Sequence, residues 1–266
     1  MIAKSILLFI FGVSIGSFIN VIRYRYKKVQ SIIIPRSYCD NCKKKLNWYL
    51  NIPLISWILL KGKCKFCKFK IPYSYPIIET IVGFIFVLNI FSNKYFSENN
   101  QSLNLTLICV FSFFLITISL LDIDHFIIPN SLNLKLAAIA IPMMIFLQLN
   151  ENDNSNLFFL RIISSIIIFF ILESFSYFYN IFLKKFPYGM GDSKLISVFI
   201  LWLGIKGTLI TIFLSIYLAG FFILFSKILQ IKKYNSKIPF GPFLSLGAYL
   251  TILLGNEFWL NKLFFL

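Results

Sequence analysis

Residues 5–22 read SILLFIFGVSIGSFINVI, a run of 18 residues without a charged side chain. A mostly apolar stretch of about 18 residues is long enough to cross the hydrocarbon core of a bilayer as a helix. A secretory signal peptide is the alternative, but no A-x-A-like cleavage site follows, and further apolar segments come after this one. The segment is therefore predicted to be a retained transmembrane helix.

The whole chain has the composition of a multi-spanning membrane protein. Of its 266 residues, 58% are hydrophobic and 14% are charged, and the mean hydropathy is +0.81. A soluble domain carries about 25% charged residues, so that class is excluded. Backbone groups in lipid need internal hydrogen bonds, which predicts an all-α integral membrane protein with about eight transmembrane helices. Segments long enough to span begin near Ser5, Tyr75, Leu105, Leu132, Leu157, Lys194, Thr208 and Phe240.

The basic residues predict how the chain is oriented. Residues 23–70 hold 13 of the 26 Lys and Arg residues and only one acid, Asp40. The positive-inside rule therefore puts this loop, between the first and second helices, in the cytoplasm and the amino terminus in the periplasm. The net charge of +16 is explained by this topology and by attraction to anionic lipid head groups. We expect membrane lipid and no nucleic acid as a partner, because the loop lacks an aromatic-interleaved platform for reading strands.

Two C-x2-C pairs lie in the same loop, CDNC at residues 39–42 and CKFC at residues 64–67. The 21 residues between the pairs are close to the spacing of four-thiolate zinc sites. A reducing cytoplasm disfavours disulfides, although a redox role is the alternative. Four sulfurs close the coordination sphere, so the metal is expected to organise the loop and not to catalyse. The predicted ligands are Cys39, Cys42, Cys64 and Cys67, whereas Cys109 is expected to be a packing residue in an apolar helix.

Acidic residues near hydrocarbon are costly and therefore become functional candidates. Asp122, Asp124 and Asp192 are all predicted to emerge at the cytoplasmic ends of their helices. Two carboxylates held close together do not both ionise cheaply, and a pair that shares a proton can activate water against an amide. Residues two apart on a helix point about 200° away from each other, so at most one of Asp122 and Asp124 faces Asp192. The residues alone leave that choice open.

The stretch PYGMGDSKL, residues 187–195, sets two glycines before Asp192. Without side chains, Gly189 and Gly191 would let a substrate backbone or an opposing helix approach the carboxylate. The alternative is that the glycines only aid helix packing and that Asp192 caps a helix. Two other groups have less defined predictions: His125 is expected at the surface or head-group region, and Glu173 is expected to hydrogen-bond inside the bundle.

Five motifs carry a resemblance to a known family. They are GSFINVIRYR at residues 16–25, the cysteine-bearing loop ending in IPYSYPIIE, DIDHFIIP at residues 122–129, GMGD at residues 189–192 and IPFGPFLSLGA at residues 238–248. Together they make the chain resemble the bacterial type IV prepilin leader peptidases, which are bifunctional peptidase/N-methyltransferases of the inner membrane.

The resemblance implies a site and a reaction. It implies catalysis by Asp192 and by Asp122, because the family's acid lies seven residues before a proline, here Pro129. It further implies cleavage of a basic leader from prepilin or pseudopilin substrates at the cytoplasmic face, then methyl transfer from S-adenosylmethionine to the new terminal residue. Glu79 matches the family's loop signature and is a candidate for methyl transfer. The expected domains are residues 1–72, with the first helix and the methyltransferase-associated loop, and residues 73–266, a seven-helix peptidase.

Two functions from other classes compete with this one. An ion-coupled transporter would want carboxylates at the middle of the bilayer and repeated halves, which the sequence does not show. A peptidase without methyl transfer, or a non-catalytic zinc-loop assembly factor of a pilus or secretion system, also fits the motifs. The substitution Asp192→Asn separates a peptidase from an assembly factor.

Overall fold

The computed structural model describes residues 2–28, 30–34, 36–92, 100–150, 157–183, 189–229 and 238–264. The chain divides into two compact units, Met1–Phe91 and Ser92–Leu266. The described residues contain no β-strand, which confirms the all-α prediction. The helices are α1 Ile2–Lys27, α2 Ile55–Leu59, α3 Ser74–Leu88, α4 Gln101–His125, α5 Asn130–Asn150, α6 Leu157–Leu183, α7 Met190–Ile228, α8 Gly241–Leu254 and α9 Asn256–Phe264, with short 3₁₀ helices at Trp48–Asn51 and Asn89–Phe91.

In the first unit, α1 and α3 pack backbone against backbone through glycines. A Cβ added to Gly12 would lie 2.9 Å from the Cα of Gly83, and one added to Gly16 would lie 2.8 Å from the Cα of Glu79. Small residues four apart allow this close approach, which helices in lipid need because dispersion contacts replace the hydrophobic effect. The pairings 12 with 83 and 16 with 79 show that the two helices run antiparallel.

The loop between α1 and α3 is compact although it has little regular structure. It contains a 3₁₀ turn, the five-residue helix α2 and two isolated antiparallel bridges, Tyr38 with Lys45 and Lys63 with Lys70. Each bridge closes around one C-x2-C pair. Both bridges thus lie in the loop that carries the cysteines.

In the second unit, helices α4 to α8 surround an aromatic core. The Phe111 ring of α4 lies 5.9 Å from the Phe199 ring and 4.8 Å from the Trp202 ring of α7, and all three side chains are fully buried. The Trp202 indole Nε1 donates to the Leu136 carbonyl of α5 at 3.0 Å, so its polar atom is satisfied inside the core. The core therefore fixes α4, α5 and the first part of α7 to one another.

Helix α7 is interrupted at Gly204, whose φ of 70° and ψ of 177° are not helical. Only glycine adopts this conformation readily, because a Cβ would clash with the backbone. After the break, the Thr211 Oγ1 of α7 lies 3.2 Å from the Thr251 Oγ1 of α8, and the ring centroids of Phe222 and Phe243 are 5.5 Å apart. Because the later residue of α7 contacts the earlier residue of α8, the second half of α7 runs antiparallel to α8.

The predicted count of eight spans is not confirmed. Five described helices are long and apolar enough to cross a membrane, or six if the pair α8 and α9, which are bent by 101°, counts as one span. The sixth and seventh predicted spans belong to the single interrupted element α7. The apolar part of α5, Asn130–Phe146, is a shorter helix, and α8 has only 14 residues. The protein is nevertheless a multi-pass integral membrane protein.

The glycine contact between α1 and α3 predicts a specific loss of stability. Gly12→Ala should destabilise the protein by about 1–3 kcal/mol, because the added methyl group overpacks the helix interface. The measurement is the thermal unfolding midpoint of the purified protein in detergent. Gly220→Ala is the matched control, since a Cβ there meets no atom within 4 Å. An equal fall in both variants would contradict close packing at Gly12.

Candidate active site

Asp122 lies in the last turn of α4 and is only 6% exposed. Its Oδ2 accepts a hydrogen bond of 2.8 Å from the backbone N–H of Gly241, the first residue of α8. A Cβ on Gly241 would lie 2.7 Å from that oxygen, so only glycine lets the α8 backbone come this near. Helix α4 ends at His125, and the next residue, Phe126, has a φ of 55° and donates its N–H to the Asp122 carbonyl at 2.8 Å.

Asp192 lies in the first turn of α7 and is 8% exposed. Its Oδ2 accepts a hydrogen bond of 3.2 Å from the N–H of Gly189, the residue that precedes the helix. This is the reciprocal half of a capping box. The carboxylate thus also has the capping role that was weighed as the alternative, although α7 begins at Met190, before Asp192.

The structure brings Asp122 and Asp192 together although 70 residues separate them. The charge of Asp122 acts electrostatically on Asp192. A Cβ on Gly191 would lie 2.8 Å from the Cβ of Ile128, so the second glycine of GMGD packs against the segment that follows α4. This contact sets Asp192 beside the end of α4. We refer to Asp122 and Asp192 as the dyad.

Asp124 differs from Asp122 in its surroundings. It is half-buried, whereas Asp122 is buried and receives the Gly241 amide. Asp122 is also the charged residue that acts on Asp192. The geometry therefore favours Asp122 as the partner of Asp192, and the catalytic roles of both stay a prediction.

The four loop cysteines converge on one point in the first unit. Their sulfur atoms all lie within 4.8 Å of one another, and the Cys39 and Cys67 Sγ atoms are 3.7 Å apart. A tetrahedral zinc with Zn–S bonds of about 2.3 Å requires sulfurs about 3.8 Å apart. Cys39, Cys42, Cys64 and Cys67 therefore fit a structural zinc ion, which would use all four sulfurs and leave no open position.

Both cysteine pairs are built as the same turn. The N–H of Lys43 donates to the Cys39 carbonyl at 2.8 Å, and the N–H of Lys68 donates to the Cys64 carbonyl at 3.1 Å. Lys43 and Lys68 each follow the second cysteine of a pair, and their φ values are 57° and 59°. A left-handed residue at this position turns the chain so that both sulfurs of a pair point inward.

The thiols of the cluster differ in acidity. The pKa of Cys67 is lowered to about 6, chiefly by the hydrogen bond from the backbone N–H of Phe69. Burial instead raises the pKa of Cys39 to about 11. Metals bind the thiolate, so a metal ion entering the cluster would displace the proton of Cys39.

Glu79 is a buried carboxylate of α3, 6% exposed, at the wall of a cavity of about 210 Å³. Its Oε2 accepts a hydrogen bond of 2.8 Å from the N–H of Leu54, and Ser17 also hydrogen-bonds to it. Leu54 has a φ of 59° and a ψ of −54°, a strained backbone for a residue with a side chain. Tyr24, Trp57 and Tyr75 also line the cavity.

Comparison with known proteins gives a consistent result. A family model described as the bacterial peptidase A24 N-terminal domain matches residues 10–92, and one described as the type IV leader peptidase family matches residues 109–224. A type 4 prepilin-like proteins leader peptide-processing enzyme of Escherichia coli O78:H11 is 30% identical over 271 residues, which cover 95% of this chain and 94% of that protein.

The chain belongs to the type IV leader peptidase family. A prepilin leader peptidase/N-methyltransferase of Stutzerimonas stutzeri is 26% identical over 93% of this chain and 90% of that protein. One of Myxococcus xanthus with the same name is 35% identical over 52% of this chain and 40% of that protein. No solved structure gives a significant match.

The structure also locates three other residues for which the sequence made predictions, and none of them belongs to the dyad. Cys109 is buried in α4, as expected of a packing residue. His125 ends α4 and is half-buried, and its expected surface or head-group position stays a prediction. Glu173 lies in α6, and its buried Oε1 has no hydrogen-bond partner among the described residues, which differs from the predicted hydrogen bond. No described contact links it to the dyad.

Two residues of the site had not been assigned a role from the sequence. Gly241 was recognised only as part of the motif IPFGPFLSLGA, yet its amide binds Asp122. Leu54 follows Pro53 in an ordinary loop sequence, yet its amide binds Glu79. The sequence signal for Gly241 was a glycine before a proline at a helix start. The sequence contains no signal that singles out Leu54.

The cysteine geometry predicts about one zinc ion per purified chain. Cys64→Ser should lower the zinc content sharply, because three thiolates hold the ion less well than four. Elemental analysis after dialysis measures this. Cys109→Ser makes the same chemical change outside the cluster and should leave the zinc content unchanged; equal zinc in both variants would argue against the site.

Proposed function

We propose that this chain is a membrane aspartyl endopeptidase that removes the basic leader from type IV prepilin-like proteins and then N-methylates the new terminal residue. The Stutzerimonas stutzeri relative is named for both activities and the Escherichia coli relative for leader-peptide processing, and each matches over nearly the full chain. The single observation that carries the peptidase proposal is that Asp122 and Asp192, two buried carboxylates on different helices, each accept a hydrogen bond from a glycine amide at a helix start. Prepilins or pseudopilins are the proposed substrates.

Hydrolysis by the dyad follows from the chemistry of two carboxyl groups that share one proton. The ionised carboxylate accepts a proton from water while the water oxygen attacks the scissile carbonyl carbon. The protonated carboxyl donates its proton to the carbonyl oxygen. Collapse of the tetrahedral species breaks the carbon–nitrogen bond. The departing amine takes up the proton that the first carboxylate received from water, and the second carboxylate regains a proton from a hydroxyl of the collapsing species. The amides of Gly241 and Gly189 hold one oxygen of each carboxylate, so the two groups keep their orientation.

The reaction is proposed to occur at the cytoplasmic face of the bacterial inner membrane. The basic loop of the first unit would face the cytoplasm, and the amino terminus would face the periplasm. A prepilin is an apolar helix with a basic leader that stays in the cytoplasm, so its scissile bond would lie at the level of the dyad. Confinement of both helices to the bilayer would favour their encounter.

Methyl transfer is proposed for the cavity beside Glu79. S-adenosylmethionine, when bound, supplies a methyl group carried on a cationic sulfur. The cavity suits a cation, because a cation is attracted to the faces of aromatic rings and to negative charge. Here the rings are those of Tyr24, Trp57 and Tyr75, and the negative charge is the buried carboxylate. Glu79 would hold the new terminal amine and accept its proton. Methyl transfer would thus be associated with residues 1–72 together with α3, and peptidase activity with the remaining helices.

The dyad is tested by leader cleavage. Asp122→Asn and Asp192→Asn should each slow cleavage of a purified precursor by about 10²–10⁴-fold, because each removes a proton-transferring group. The readout is the rate at which the leader is released in lipid. Asp124→Asn is the matched control and should cleave near the unsubstituted rate.

Zinc content should be equal in all three variants. Unimpaired cleavage by either dyad variant would reject the peptidase assignment. Such a result, with pilus or secretion assembly retained, would indicate an assembly factor instead.

Glu79 is tested by methyl transfer separately from cleavage. Glu79→Gln should lower methylation of an already cleaved peptide by about 10²–10⁴-fold, because an amide cannot accept the proton of the amine. Incorporation of labelled methyl groups measures the effect, and leader cleavage should stay unchanged. Glu257→Gln, an exposed site on α9, is the control. Equal methylation in both variants would remove Glu79 from the reaction.

A further inference from the structure

The first turn of α7, which carries Asp192, is held at two points against the segment that begins α5. Gly191 packs against Ile128, as described above. On the other side of Asp192, the Lys194 Nζ donates a hydrogen bond of 3.0 Å to the Asn130 Oδ1. An ammonium group only donates, so the amide oxygen is the atom of Asn130 that can receive it.

The residue that receives this bond is tied closely to the other half of the dyad. Asn130 follows Asp122 by eight residues through a tight connection. Phe126 donates its N–H to the Asp122 carbonyl at 2.8 Å, and Asn133 donates its N–H to the Pro129 carbonyl at 3.2 Å as α5 begins. Backbone hydrogen bonds therefore order both ends of the connection between Asp122 and α5.

The bond between Lys194 and Asn130 thus links the two chain segments that carry the carboxylates. One segment is the chain from Asp122 to Asn130, and the other is the short helical piece from Asp192 to Lys194. Residues two apart on a helix point about 200° away from each other, so the ammonium is directed to α5 and not to the Asp192 carboxylate. Lys194 can therefore affect the dyad by holding the first turn of α7 in place, without a direct contact between its ammonium group and either carboxylate.

We propose that Lys194 and Asn130 are positioning residues that set the separation of Asp122 and Asp192. The inference rests on the proposed peptidase function of that dyad. Loss of this exposed bond would leave the Gly191–Ile128 contact as the other described restraint between the first turn of α7 and this segment, while the aromatic core around Phe111 and Trp202 stays intact. A displacement of about 1 Å between reacting groups can cost about 10²-fold in rate.

Three substitutions test the bond. Lys194→Met keeps the apolar stem and removes the ammonium, and Asn130→Ala removes the acceptor. Each should lower kcat for leader cleavage by at least about tenfold with little change in KM, because positioning affects the chemical step more than binding. Asn130→Asp should retain activity, since a carboxylate accepts the same bond with charge assistance. Lys206→Met is the matched control, an exposed lysine of α7 beyond the break at Gly204.

The double variant separates positioning from general damage. Because both residues act through one bond, Lys194→Met with Asn130→Ala should be about as slow as either single variant. Methylation of an already cleaved peptide and the thermal midpoint should stay unchanged. Cleavage by Lys194→Met at the unsubstituted kcat would overturn the inference, as would a parallel loss of methylation and thermal stability. Activity in Asp122→Asn or Asp192→Asn would instead overturn the proposed function itself.

Discussion

Helix amino termini satisfy both carboxylates of the candidate active site, and the rest of the site depends on this constraint. The first amides of a helix have no partner within it, and they carry the positive end of the helix dipole. Gly241 opens α8 and donates to Asp122, while Gly189 precedes α7 and donates to Asp192. An acid buried in a membrane protein is costly unless such donors are present. The dyad can therefore exist only where α7 and α8 both begin at the level at which α4 ends.

That requirement explains where the glycines lie. At Gly241 the carboxylate of Asp122 lies so close to the helix start that a Cβ would overlap it. Gly191 also permits a close approach, since its lack of a side chain lets α7 pack against Ile128. In the first unit, Gly12 and Gly16 bring α1 against α3 by the same means. Close backbone approach thus serves packing in one unit and the placement of acids in the other.

Sequence patterns predicted the parts of this protein that depend on local composition. Apolar runs gave the all-α membrane class, and the spacing of Cys39, Cys42, Cys64 and Cys67 gave a cluster whose sulfurs do converge. Hydropathy could not count the spans, because it averages over windows and does not register a single non-helical residue such as Gly204. The role of Gly241 was also inaccessible, since its partner Asp122 lies 119 residues away. Contacts between remote elements follow from packing, which no local pattern encodes.

The loop of the first unit shows how a metal without an open coordination position can still bear on chemistry. Leu54 lies between the two cysteine pairs, and its amide binds the Glu79 carboxylate from a strained backbone conformation. Strain of this kind persists only when the surrounding structure holds it in place. Four thiolates on one ion would fix both ends of the segment that contains Leu54, and so would supply that restraint. Metal binding would then determine the orientation of Glu79 through the loop, with no contact between the ion and the carboxylate.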